Sequence, residues 1–344
     1  MRESEINPDA NHLPNAITES QLADAIKASG YPLQTLVAEC LKSHFGLRHE
    51  WAYLDRQTKE LRAIDLLAER DLYDWKTAHP RVRPRLDLLI ECKQTELPHL
   101  FFVAEPPWTA DFPVLAGLRS QNVEITSDDD ASTHSMGVLN ALDLDVHPFM
   151  RTPVYAMTFS KAAWKKGGDL ELTGVEPYNA LILPLVKALQ HFHESEQPEA
   201  SHLYFDARLA VALAVIDGPM VAVSVSATGQ SLEMVPWVRV VRHEYEPTAD
   251  RWERDRLWMI EVVHFNFFQA YLDQHLLPFA ERFGQLAMKH ESELATGLGF
   301  VSGMGKSGWK NIEERLRPRT IVARSKRSRI IAKNVLSLFR RRHR

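Results

Sequence analysis

Leu86-Asp87-Leu88-Leu89-Ile90-Glu91-Cys92-Lys93 is the stretch on which the reading of the whole chain turns. Its mostly apolar run predicts a buried central strand, because a strand covered on both faces needs apolar side chains in both alternating sets. Alternation places Glu91 and Lys93 on one face of the strand's end, and Ile90 and Cys92 on the other. A carboxylate and an ammonium therefore share a surface. Upstream, Arg62-Ala63-Ile64-Asp65-Leu66-Leu67 embeds an acid in a second apolar run. Where these two strands are neighbours, Asp65 and Glu91 converge on one hard cation. Such a pair suits magnesium, which prefers oxygen ligands and keeps several waters. Lys93 can then orient or help deprotonate an attacking water and counter the charge that builds on a phosphorane. The plain alternative is a buried Asp65–Lys93 ion pair, with Glu91 at the sheet edge.

Outward from these strands, Arg48 to Leu54 and Glu60 to Glu69, joined by Asp55-Arg56-Gln57-Thr58-Lys59, form a hairpin pattern. Thr18 to Ala28 predicts a short helix. Pro32 opens a second one, reaching Phe45, with Leu33, Leu36, Val37, Cys40 and Leu41 on one stripe and Glu39 beside it. His99 to Ala104 adds a short strand. Residues 105–147 are polar and are expected to be an irregular insertion or lid. Later expected elements are a strand at Val154–Phe159, a helix at Glu176–Phe192, two strands around a turn in Leu209–Val225, strands at Val238–His243 and Trp258–His264, and a helix at Phe265–Phe283.

The order helix with Glu39, hairpin, strand with Asp65, strand with Glu91-Cys92-Lys93 resembles the PD-(D/E)xK nuclease superfamily, the restriction-endonuclease-like fold. Gly30-Tyr31-Pro32-Leu33, Arg62-Ala63-Ile64-Asp65 and Ile90-Glu91-Cys92-Lys93 followed by Phe101-Phe102 are similar to its bacterial members, best over residues 30–103. Two departures stand out: Ile64 occupies the position of the proline, and the gap from the third strand to the second helix is long. The resemblance implies a three-layer α/β/α core in the order αβββαβ, here with a long insertion and additional C-terminal strands and helix. It also implies metal-dependent endonuclease chemistry on DNA with Mg2+, or Mn2+ as a substitute. On that pattern Asp65, Glu91 and the Cys92 backbone carbonyl hold the metal, Lys93 is catalytic, and Glu39 binds a second metal or anchors a metal-bound water. Two other readings stand beside it: a nuclease-fold protein that binds nucleic acid or a partner without hydrolysis, and a defence effector nuclease whose insertion gates the groove.

Composition bounds these readings. With 344 residues, 45% of them hydrophobic, the chain can bury a full core. The formal charge of −4 hides an asymmetry: residues 315–344 hold twelve Lys and Arg and no Asp or Glu, leaving 29 basic against 45 acidic residues before them, or −16. A body so acidic is not a general polyanion binder. Nucleic-acid affinity must come from a local basic surface, a bound metal or the tail. Two cysteines, Cys40 and Cys92, argue for the reducing cytoplasm and against a disulfide framework. No secretion signal or membrane span is read. The expected organisation is a disordered lead at 1–17, an elaborated domain at 18–290 with an insertion at about 105–150, and a basic tail at 291–344.

Other signals carry less. Gly303-Met304-Gly305-Lys306-Ser307 ends like a phosphate-binding loop, but Phe300 stands where the spacing needs glycine. His191 and His193 lack a nearby third ligand and read as a solvated pair. Trp51, Tyr53, Trp75 and Trp108 read as core or rim aromatics. Lys187 and Gln190 are candidates to reach the scissile phosphate. Lys59, Arg62, Lys161, Lys165 and Lys166 are candidate phosphate contacts, against the blander reading of solvated surface. In the tail, Ile330, Ile331, Val335, Leu338 and Phe339 fall on one helical face among arginines, which fits tethering to nucleic acid, an anionic membrane surface or a partner.

Overall fold

The computed structural model describes residues 11–301, apart from residue 77 and the segments 106–111, 128–132, 199–202 and 245–256. Helix α1 (Glu19–Ala28) starts at a capping box in which Thr18 Oγ1 accepts from the Gln21 N–H and Gln21 Oε1 accepts from the Thr18 N–H, at 3.2 and 2.9 Å. Helix α2 (Tyr31–Leu41) carries Pro32 in its first turn, where a missing N–H is harmless, and buries Leu33, Val37 and Leu41. Strands β1 (Gly46–Leu54) and β2 (Leu61–Asp71) form the expected antiparallel hairpin. Asp55 closes its turn by accepting from the Gln57 and Thr58 N–H groups at 2.9 and 3.3 Å. Strand β3 (Val82–Gln94) pairs antiparallel with β2.

Next come β4 (His99–Ala104), β5 (Val114–Ala116), β6 (Asn122–Ser127), β7 (Thr133–Gly137), α3 (Val138–Ala141), α4 (Pro148–Arg151), β8 (Tyr155–Trp164), β9 (Leu170–Thr173) and α5 (Val175–Pro177). A π-helical turn at Tyr178–Ile182 leads into α6 (Leu183–Ser195). The last third runs β10 (Phe205–Asp217), β11 (Met220–Ser226), β12 (Gly229–Met234), β13 (Trp237–His243), β14 (Leu257–His264) and α7 (Phe265–Tyr271). It ends with a second π-helical turn at Leu272–Leu276, α8 (Leu277–Lys289), α9 (Glu291–Thr296) and β15 (Leu298–Val301).

Twelve strands form one mixed sheet in the order β1-β2-β3-β10-β14-β13-β8-β4-β11-β12, with β5 paired to β10 and β9 to β8. Strands β15, β6 and β7 make a small separate sheet. β3 and β10 run parallel along their whole length, flanked by β2 and β14. Both are covered on two sides, which accounts for their continuous apolar character. On one face, Leu33 and Val37 of α2 and Phe268, Phe279 and Phe283 of α7 and α8 pack in one cluster with Leu86, Leu88 and Ile90. On the other face, Leu185, Leu189 and Phe192 of α6 pack with Leu89, Ala210 and Ala212. The architecture is therefore mixed α/β, a large sheet with helices on both faces. At the N-terminal end of β10 a buried fork holds three strands together: Arg208 donates to both Asp87 carboxylate oxygens of β3 at 3.0 and 2.7 Å and to Glu69 of β2 at 2.6 Å.

Three expectations change. The insertion is not irregular in its described parts. Val114, Leu115 and Ala116 pair with β10 at Arg208–Ala210, and Phe112, Val123, Ile125 and Met136 are buried. β5 has three residues, too few for alternation to reveal it from sequence. The tail does not start at 291, because Glu293, Leu294 and Ala295 are buried and β15 pairs with β6. Residues 302–344, with the glycine-rich Gly303–Ser307 stretch and the basic segment, lie outside the described residues, as do residues 1–10, Trp108 and Asp128–Asp130. Finally, β10 and β11 meet at the expected turn but do not pair with each other. β11 instead continues alongside β4, with Gly218 packed so closely on Thr95 that a Cβ there would fall 2.3 Å from its carbonyl oxygen.

Candidate metal centre at the end of β3

Asp65, Glu91 and Lys93 meet at the C-terminal end of β3. The last paired positions between β2 and β3 are Leu66 and Ile90, so Asp65 and Glu91 follow just beyond the paired ladder. The Asp65 charge acts on the Glu91 carboxyl, so the two acids are near each other at this end of the strands. The Cys92 N–H donates to Asp65 Oδ2 at 2.7 Å, locking the carboxylate against β3. Burial is the main influence on both acids. It raises the Asp65 carboxyl above its ordinary range, opposed by the Cys92 N–H and by the Lys93 charge, while Glu50 adds to the rise. Glu91 is pushed up to about 9, first by burial and then by the Asp65 charge, with Lys93 opposing and Glu50 reinforcing. The Cys92 side chain itself is buried on the opposite face. Burial also pushes its thiol up, so the thiolate is no ligand here and only its backbone carbonyl remains a candidate.

The further acid beside Asp65 is Glu50, whereas Glu39 stands apart. Helix α2 buries Leu33, Gln34, Val37, Ala38 and Leu41. At 100° per residue, Glu39 stands well off that face, and it is exposed and ion-paired with Lys42. Glu50 lies between the paired positions His49–Leu66 and Trp51–Ile64, directly across from Asp65 at a lapse in the ladder. It adopts φ 49°, left-handed backbone that a glutamate takes at a cost. Gln34 bridges this lapse: its Nε2 donates to Glu50 Oε1 at 3.0 Å and to the Asp65 carbonyl at 2.9 Å. Glu50 left no trace in the sequence, since its alignment with Asp65 depends on the hairpin register. Gln34 left a faint one, a polar residue within an apolar helical stripe.

The remaining candidates lie elsewhere. Lys187 is buried and donates to Gln190 at 3.2 Å, and its charge acts on Asp55 in the hairpin turn. Arg62 is paired with Asp55 at 2.8 Å. Lys161 and Lys165 pair with Glu176 and Glu171 at 3.6 and 3.7 Å. Lys59 is exposed in the hairpin turn at φ 59°, and Lys166 is exposed. His191 sits against the Trp51 and Tyr53 rings, with centroids 5.9 and 6.1 Å away, while His193 contacts Gln121. Trp75 is exposed. The described part of the insertion pairs with β10 at residues 208–210, whereas Glu91 and Lys93 lie beside residues 214 and 216. Those positions are separated by about 13–26 Å along the strand, so β5 does not cover the acids.

The donor set fits a hard divalent cation in its chemistry. Asp65, Glu91, Glu50 and the Cys92 carbonyl offer oxygen alone, and partly buried acids whose proton affinity is raised by burial and by a neighbouring carboxylate are relieved by a shared positive charge. Among the described residues no group of three His, Cys, Asp or Glu side chains is gathered closely enough to enclose an ion. Magnesium does not require such an enclosure, since one or two carboxylates with water suffice. No family model, curated protein or solved structure matches the chain. Among the described residues no helix is long and apolar enough to cross a membrane.

Proposed function

We propose that the chain is a metal-dependent endonuclease of the restriction-endonuclease-like class, hydrolysing phosphodiester bonds of DNA. The observation that carries this reading is the proximity of Asp65 and Glu91 just beyond the β2–β3 ladder, with the Lys93 charge acting on both. The path α2-β1-β2-β3-α6-β10 supports it, because it follows the αβββαβ order with β4 to β9 and α3 to α5 inserted. Mg2+ or Mn2+ would be held by Asp65, Glu91 and the Cys92 carbonyl, with Glu50 as a further carboxylate, and would supply a polarised water and charge neutralisation at the phosphate. Lys93 acts electrostatically on both acids, in place to orient the attacking water and to counter charge on the phosphate oxygens. Gln34 positions Glu50.

The loose gathering of the acids favours one second reading: a protein of this fold that binds nucleic acid or a partner without cutting. Incubation with plasmid, linear and single-stranded DNA in magnesium, manganese or chelator separates the two. Cleavage that needs the metal and is lost in Lys93→Ala, with DNA binding retained, supports the nuclease. Equal cutting by Lys93→Ala refutes the assignment, and metal-independent binding without cutting supports the second reading.

A further inference from the structure

The ladder that ends at the metal centre is continued by a second one. Thr95 to Pro98 carry β3 into β4, and Gly218-Pro219 carry β10 into β11, so the parallel pair β3–β10 leads into the parallel pair β4–β11. Two hydrogen bonds join them: the Thr95 N–H donates to the Asp217 carbonyl at 3.0 Å, and the His99 N–H to the Pro219 carbonyl at 2.9 Å. Lys93 lies beside Ile216 and His99 beside Met220, four residues on and at most about 13 Å away along the chain. Ile216, Met220, Phe101 and Phe159 share the cluster beneath α6, so Lys93 and His99 are both on the α6 side of the sheet. Lys161 of β8 is paired across from His99 and is therefore on that side too. His99 is 1% exposed, its ring stacks on Phe159 with centroids 5.4 Å apart, and its Nδ1 has no hydrogen-bond partner among the described residues. Burial, then the Lys161 and Lys93 charges, hold its pKa down to about 4, so the ring is neutral.

Buried polar atoms normally find partners, yet this imidazole lies in the field of two ammonium groups with one nitrogen unpaired. Lys161 is itself loosely held: its partner Glu176 is half exposed and 3.6 Å away, beyond hydrogen-bonding distance. Two cations, a neutral ring and a loosely held carboxylate are an arrangement that an anion completes. We infer that Lys161 and His99 form a phosphate subsite beside the metal centre, Lys161 taking the phosphate next to the scissile one on the same DNA strand and His99 acting as its positioning residue. The subsite rests on the nuclease reading and adds the direction in which the substrate strand leaves the acids, past Lys93 towards β4 and β8. It also provides the local basic surface that a body of −16 before residue 315 needs to hold nucleic acid. Both strands belong to the insertion between β3 and α6, so the insertion contributes to the substrate groove.

Fluorescence anisotropy of labelled single-stranded DNA, with the full chain in chelator so that nothing is cut, tests the subsite apart from catalysis. Lys161→Ala is expected to weaken binding by about tenfold and to reduce the slope of log affinity against log salt by about 1, the loss of one phosphate contact. Glu176→Gln is expected to tighten binding by about threefold, because the phosphate no longer displaces a carboxylate. His99→Phe, which keeps a ring on Phe159, is expected to weaken binding by about threefold in the wild type and to change nothing in Lys161→Ala, as for a residue that acts through Lys161. Unchanged melting of Lys161→Ala and Glu176→Gln keeps folding out of the comparison. Wild-type binding that Lys161→Ala leaves unchanged in strength and slope overturns the subsite while the nuclease reading stands, and so does a Glu176→Gln variant that binds no better. Equal weakening by His99→Phe in both backgrounds removes His99 from it. A wild type that does not bind DNA overturns the subsite and the nuclease reading together.

Discussion

Replacing Glu91 by Gln tests the metal centre without any assay of cleavage. In the folded, metal-free chain Glu91 holds its proton up to about pH 9, whereas in the unfolded chain its carboxyl ionises near 4.5. Between those values the folded state binds one proton more than the unfolded state, so stability falls as pH rises, and below 4.5 the contribution is flat. The slope for one proton is about 1.4 kcal/mol per pH unit, so between roughly pH 5.5 and 8.5 the wild type should lose about 4 kcal/mol that Glu91→Gln keeps. That is a large share of a typical total of about 5–15 kcal/mol. Urea denaturation of both proteins in chelator, at pH steps across this range, measures the difference directly. Excess Mg2+ or Mn2+ should then restore the wild type at high pH, by about 2.7 kcal/mol at a hundredfold excess over the dissociation constant, and should do little for Glu91→Gln. Parallel pH curves would refute the protonated Glu91. Equal stabilisation of both proteins by metal would place the cation elsewhere.

Lys93→Ala should lower cleavage by about 10²–10⁴-fold, the range for a group acting on proton transfer, while the DNA dissociation constant measured by fluorescence anisotropy stays within about twofold. Glu50→Gln should weaken Mn2+ binding by about 10–100-fold in a calorimetric titration, as expected for the loss of a supporting or direct oxygen ligand. Glu39→Gln should leave it unchanged, and the reverse outcome would return the fourth position to α2. Asp87→Ala should lower stability by about 3–5 kcal/mol in urea, because the buried Arg208 loses its bidentate partner. A change under about 1 kcal/mol would mean that Glu69 and Glu196, which pair with Arg208 at 2.6 and 2.7 Å, suffice to hold it.

The local chemistry of the chain was written in its order of residues. Apolar runs ending in charges marked β3, turn residues marked the hairpin, and Pro32 marked the start of α2, because each depends on neighbours only a few positions away. The same order placed Asp65, Glu91 and Lys93 on adjoining strands, since a hairpin followed by a central strand leaves few ways to pair. Partners distant in sequence were another matter. Glu39 and Glu50 look alike as acids beside apolar stretches, and only the helix rotation and the hairpin register send one to solvent and the other across from Asp65. The insertion read as irregular because β5 is three residues long and is specified by the free edge of β10, not by its own pattern. Likewise, the sheet edge built from β8, β9, β4, β11 and β12 exists only once strands from three parts of the chain lie side by side, since alternation within one strand says which side chains share a face but not what covers it.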